Sequence, residues 1–144
     1  MKTPITHPVL GELTYDAGLD WYEGRLVVEG DVGRVYLSLD ACDDEDDLLS
    51  FAAARIPETP DVVRRARLYS ARTFLDLRNS EWLAEGEAPT SEAQFVARLE
   101  LESVTFYPDH TREVTFRDGG LFCGHLVTVT VDADAECEDA SIGG

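Results

Sequence analysis

The spacing of apolar residues changes twice along this chain, from every second residue to helical spacing and back again. Residues 34–39 alternate, which places Val35, Leu37 and Leu39 on one face of a strand. Residues 10–15 and 21–28 precede this strand and are separated by turn-forming residues. Together they predict an N-terminal antiparallel meander of three strands. A second three-stranded antiparallel meander is predicted where the period of two returns, from about residue 101.

The middle of the chain has the spacing of helices. Acidic residues 43–47 precede an apolar helical pattern that Pro57 is expected to end, because acids stabilise the first turn of a helix. Thr59 is predicted to cap a second helix, and Thr90 or Ser91 a short third one. The prediction is therefore an α+β fold with the helical section packed on the sheet. Whether the two meanders form one sheet stays open.

Length and composition restrict the class of protein. A chain of 144 residues with 44% hydrophobic content fits a single domain, here residues 1–144 with a short flexible N-terminus over residues 1–7. The chain has no apolar run of the roughly 20 residues that a membrane helix needs and no apolar signal segment at its start, so we expect a cytosolic protein. The three cysteines form no CxxC pair, which gives no sign of a disulfide framework, a bound metal or another cofactor.

The net charge of −17 is the main guide to partners. Such a surface repels the phosphates of nucleic acids and of anionic membranes, so we expect neither as a ligand. It would attract a basic protein and speed the encounter. The alternative is a surface that only keeps the protein soluble in an acid-rich or salt-adapted proteome. The sequence leaves the oligomeric state open.

The segment 118–125, Asp-Gly-Gly-Leu-Phe-Cys-Gly-His, contains His125, the histidine that we most expect to be held in a defined position by its surroundings. If a regular strand begins at Cys123, then Cys123 and His125 share its apolar face, and His125 needs a hydrogen-bond partner there. A backbone carbonyl or a carboxylate near Asp118 would make His125 structural. A bulge at Gly124 would instead turn it toward a pocket, where it could act as a base or a metal ligand.

Several short motifs occur together in an order that is characteristic of one family. They are Val9-Leu-Gly-Glu-Leu13, Asp20-Trp-Tyr-Glu-Gly24, residues 91–101 with Phe95 and Leu99, Val104, Tyr107-Pro-Asp109, residues 118–125, and Ala140-Ser-Ile-Gly143. From about Val9 to Gly143 the chain resembles the uncharacterised, mostly bacterial family called domain of unknown function 2262. Members typically carry Phe-Trp-Gly-His where this chain has Phe122-Cys-Gly-His125. The resemblance implies a shared fold and no particular activity.

Two functional hypotheses of different classes follow. The favoured one is a non-enzymatic interaction module that docks a basic protein, for example an immunity-type protein that masks the basic active surface of a toxin. Aromatic and acidic side chains would form its binding surface: Trp21, Tyr22, Asp43, Asp44, Asp46 and Asp47. The alternative is a small enzyme or metal-dependent domain that uses His125 with Asp118 and Cys123.

Overall fold

The computed structural model describes residues 2–143 of the chain. These residues form eight strands and three α-helices. Their bounds are β1 (Ile5–His7), β2 (Gly11–Asp16), β3 (Trp21–Val28), β4 (Asp31–Ser38), α1 (Glu45–Arg55), α2 (Thr59–Glu81), α3 (Glu92–Arg98), β5 (Glu100–Phe106), β6 (Arg112–Arg117), β7 (Leu126–Val131) and β8 (Cys137–Gly143).

The strands form one mixed sheet in which each strand lies beside its neighbours in sequence. All pairs are antiparallel except β4 and β5, which are parallel and therefore need a crossover connection. All three helices lie in that crossover and cover one face of the sheet, where α1 packs on β4 and α2 on β7 and β8. We call the other side, which no helix covers within residues 2–143, the open face.

The α+β class is confirmed, but the prediction of two three-stranded meanders is wrong in its detail. Each half of the sheet has four strands, and the parallel pairing of β4 with β5 joins the halves. β1 lies within the stretch predicted to be flexible, and it pairs with β2. β8 is the fourth strand of the C-terminal half, beyond the three strands that were predicted there. Its exposed positions are polar or glycine, and the residues that pack against the core, Cys137, Ala140 and Ile142, are not regularly spaced, so it has little apolar alternation.

The helical section differs from the prediction at one junction. Pro57 follows the end of α1 at Arg55, as predicted, but a 3₁₀ turn over Ile56–Glu58 leads from α1 directly into α2. Thr59 is not an N-cap; its buried hydroxyl donates to the carbonyl of Arg55 at 2.9 Å. The first turn of a helix tolerates proline, since the missing N–H has no partner there. Ser91 does cap α3, in a capping box with Gln94.

The core lies between the helices and the covered face of the sheet. Val35, Leu37 and Leu39 are buried there, as their alternation predicted. Within residues 2–143, no helix combines the length and the apolar character that crossing a bilayer requires.

Candidate functional site

The segment 118–125 is a compact loop, so the predicted strand from Cys123 is wrong. β7 begins only at Leu126, and Cys123 and Gly124 both have positive φ angles, of 58° and 90°. Cys123 is exposed and does not face the core. Cys123 and His125 therefore do not share a strand face. Gly124 lies in a turn and does not form the strand bulge that the sequence allowed.

Asp118 organises this loop from inside. Its side chain is 3% exposed and accepts four backbone hydrogen bonds at 2.9–3.1 Å, which come from the N–H groups of Gly120, Phe122, Gly124 and His125. Burial acts to raise the pKa of Asp118, but the four hydrogen bonds outweigh it and hold the pKa below the ordinary value. The carboxylate is thus an ionised structural acceptor whose oxygens are already engaged, which does not suit a general base.

The loop carries two apolar side chains into the core. Leu121 and Phe122 are fully buried, and the ring of Phe122 makes edge-to-face contacts at centroid distances of 5.5–6.2 Å. Its partners are Phe74 and Trp82 on or beside α2 and Phe95 on α3. The sequence motif is therefore a packing element that joins the sheet to the helices.

His125 is half-buried at the rim of the loop. Its Nδ1 donates to the carbonyl of Phe122, and its ring lies edge-on to Trp82 at 5.7 Å between centroids. Only its backbone N–H contacts the Asp118 carboxylate. This arrangement matches the structural alternative for the histidine and does not form the His125–Asp118 side-chain pair that the enzyme hypothesis requires.

The two aromatic residues predicted as anchors point to opposite faces of the sheet. Tyr22 is 3% exposed and faces the helices, so its side chain does not form part of the surface. Trp21 lies on the open face, where its ring stacks on Tyr36 at 4.1 Å and its Nε1 donates to Glu23. Alternation along β3 separates the two, and only Trp21 is placed to meet another molecule.

The acidic segment 43–47 forms the start of α1. Asp44 is the N-cap and accepts from the N–H of Asp47. The Asp47 carboxylate lies 2.9 Å from Nε2 of His110, whose ring stacks on Phe51. This contact ties the start of α1 to the turn between β5 and β6. Asp43 and Asp46 are exposed, and within residues 2–143 neither side chain has a hydrogen-bond or ion-pair partner.

Beside this segment lies a cleft of about 380 Å³ that sequence reasoning missed. Three carboxylates line it: Asp40, Asp109 and Glu113. The side chain and the N–H of Thr111 both donate to Asp109, and these hydrogen bonds hold its pKa below the ordinary value. Tyr107 donates to Glu113, and burial together with this bond raises the pKa of Tyr107.

The cleft and the start of α1 are linked by His110, which contacts Asp47 and follows Asp109 directly in the chain. We call the combined feature the acidic surface and define it as Asp40, Asp43, Asp46, Asp47, Asp109 and Glu113. The motif Tyr107-Pro-Asp109 was visible in the sequence. Its closeness to Asp40 was not, because it depends on the parallel pairing of β4 with β5.

The structure gives no basis for a metal centre in residues 2–143, where no three histidine, cysteine or acidic side chains converge to hold an ion. The five arginines of α2 are each paired with an acid. The pairs are Arg64–Glu29, Arg65–Asp61, Arg67–Asp31, Arg72–Glu92 and Arg78–Glu87.

An eight-stranded mixed sheet with its helices on one face defines an α+β domain. The chain belongs to the family described as an uncharacterised protein conserved in bacteria, DUF2262, whose model matches residues 7–142. No curated protein and no solved structure is detectably similar to it.

Proposed function

We propose that this protein is a cytosolic, non-enzymatic interaction domain that binds a basic protein partner through its acidic surface. One observation carries the proposal: Asp40, Asp109 and Glu113 line a single cleft, and the acidic start of α1 lies beside it. Carboxylates on more than one wall of a cleft can accept hydrogen bonds from a cationic side chain inside it, which scattered surface acids do not offer.

The cleft suits the side chain of a lysine or arginine. Its walls include the ring of Tyr107 and Pro108, which can contact the aliphatic part of such a side chain while the carboxylates bind its charged end. The hydrogen bonds from Thr111 keep Asp109 ionised at neutral pH. The cleft therefore provides charge and apolar contact together.

Trp21 provides an aromatic contact next to the acidic surface. It pairs with Ser38 at the end of β4, two residues before Asp40. Interfaces are often centred on tryptophan and tyrosine, and Trp21 and Tyr36 form a stacked pair on the open face. An immunity-type protein that covers the basic active surface of a toxin is one specific form of this proposal, supported by the small size and the net charge of −17.

The proposal is tested by capture of partners from the source bacterium on the immobilised protein at low and at high salt. The variant Asp40→Asn, Asp43→Asn, Asp46→Asn removes three charges of the acidic surface. The control Glu12→Gln, Glu81→Gln, Glu85→Gln removes three exposed charges elsewhere. We expect the wild type and the control to retain the same basic proteins until salt releases them, and the first variant to lose them.

The salt dependence follows from screening, since charge interactions over more than about 10 Å are largely lost at 0.1 M salt. If the acidic-surface variant captures the same proteins as the wild type, the acidic surface is not the binding site. If no basic protein is released by salt, the proposal of a basic partner fails.

A further inference from the structure

Arg25 and Arg34 are direct cross-strand partners on β3 and β4, and both side chains are exposed on the open face. Like charges placed directly opposite each other on a sheet destabilise it. In a chain with 29 acidic residues, such a pair could easily be neutralised by a neighbouring carboxylate. Within residues 2–143 no carboxylate forms an ion pair with either arginine.

The other basic side chains of the described residues have the polar partners that Arg25 and Arg34 lack. Lys2 and eight of the eleven arginines form ion pairs, and Arg98 donates to the carbonyl of Gly119. Arg117, which also lies on the open face, contacts both Glu100 and Glu102 of the adjacent strand β5. Arg25 and Arg34 have no equivalent of these two glutamates.

The arginines line one cleft of about 400 Å³. Arg25, Arg34 and Arg117 supply its positive charge, and Glu102, Val32 and Gly33 complete it. Val32 pairs across the strands with Val27, and these two apolar side chains are 52% and 54% exposed. The cleft therefore presents two unpaired guanidinium groups beside an exposed apolar pair.

We propose that this cleft binds carboxylate side chains of an acidic peptide segment in another protein. The planar guanidinium group can bind a carboxylate through two parallel hydrogen bonds, so Arg25 and Arg34 can each take one carboxylate. Arg117 shows that carboxylates reach an arginine on this face, since it contacts Glu100 and Glu102. The valine pair gives contact to an apolar residue next to the acids. The net charge of −17 opposes long polyanions and favours a segment with few charges.

This site differs in position and in sign of charge from the acidic surface, and the inference does not depend on the proposed function. The acidic surface lies beyond the end of β4 at Ser38, whereas Arg34 and Val32 lie in its first half. A partner that contacted both would carry basic and acidic residues at corresponding positions, which would fix its orientation on the open face.

The test is a titration of the ¹⁵N-labelled protein with the acetylated and amidated peptide Glu-Leu-Glu-Leu-Glu, followed by NMR. We expect saturable shifts of the amides of Arg25, Gly33 and Arg34. The double variant Arg25→Gln, Arg34→Gln should bind at least tenfold more weakly. The control Arg64→Gln, Arg72→Gln removes two exposed arginines that are paired with acids and should bind as the wild type does.

Two further measurements test whether binding depends on the carboxylates of the peptide and on this cleft. The peptide Gln-Leu-Gln-Leu-Gln should produce no saturable shift, and the variant Asp40→Asn, Asp43→Asn, Asp46→Asn should bind the acidic peptide undiminished. The inference is overturned if the acidic peptide does not saturate the wild type, or if the Arg25/Arg34 variant binds that peptide as tightly as the wild type does. It is also overturned if the glutamine peptide binds as tightly as the acidic peptide, or if inorganic phosphate saturates the cleft and the acidic peptide does not. The Arg25/Arg34 variant should melt at the same temperature as the wild type or higher, because the opposed charges are removed, and this separates lost binding from lost folding.

Discussion

At the scale of single residues, the histidine and the aspartate that attracted functional hypotheses serve the fold. Asp118 directly follows strand β6, and its side chain accepts hydrogen bonds from four backbone N–H groups of its own loop that would otherwise lack partners. His125 contacts a backbone carbonyl of the same loop. Spacing predicted that these residues have a fixed setting, but it could not distinguish a catalytic setting from a structural one.

The substitution Asp118→Ala should lower the free energy of unfolding by roughly 3 kcal/mol, since it leaves the buried N–H of Phe122 and three part-buried N–H groups without their acceptor. Urea denaturation measures this change. The control Asp134→Ala removes an exposed carboxylate and should change stability by less than about 0.5 kcal/mol. Equal stabilities for the two variants would show that Asp118 does not organise the loop.

The same carboxylate gives a pH dependence with a definite sign. The pKa of Asp118 is lower in the folded protein than in the unfolded chain, where it should be near the ordinary value of about 3.9. Its contribution is therefore complete above that value and is lost as the pH falls toward the lower, folded-state pKa. Stability measured from pH 5 to pH 2 should fall less steeply for Asp118→Asn than for the wild type. Parallel curves would contradict this assignment.

At the scale of elements, the strands with regular apolar alternation were predictable and the irregular ones were not. Residues 34–39 and 126–131 alternate cleanly, and most of each stretch is a strand. β1 has only three residues and β8 is an edge strand with polar exposed positions, so neither carries a clear period. Leu121, Phe122 and Cys123 looked like the start of a strand because an apolar run does not reveal its backbone angles.

The docking of the 118–125 loop against α3 depends on one glycine. Gly119 has a φ of +58°, and a Cβ there would lie 2.1 Å from the carbonyl oxygen of Arg98. Gly119→Ala should therefore cost roughly 3 kcal/mol or more, in part from backbone strain and mainly from this clash. Thermal denaturation would measure it.

Gly86 provides the matched control for that variant. It has a φ of +80° with open space around the position of a Cβ. Gly86→Ala should show only the strain, about 1 kcal/mol. If the two alanine variants melt at the same temperature, the close approach of Arg98 does not determine the loop position.

At the scale of the whole molecule, the sequence predicted the sign of the surface charge but not the positions of the charged groups. The charge of −17 predicted a basic partner, and segment 43–47 was visible as an acidic run. The cleft at Asp40, Asp109 and Glu113 arises only when the parallel pairing of β4 with β5 brings distant segments together. The exposed pair of Arg25 and Arg34 likewise depends on the register of β3 with β4.

The central claim is that cationic groups bind at the acidic surface and not over the acidic protein at large. The most direct measurement is an NMR titration with the acetylated and amidated peptide Lys-Leu-Lys-Leu-Lys at low salt. The account predicts saturable amide shifts concentrated at residues 40–47 and 107–113, which are lost in the variant Asp40→Asn, Asp43→Asn, Asp46→Asn. Shifts of equal size at other acidic stretches, such as residues 134–139, or no saturation at all, would contradict it.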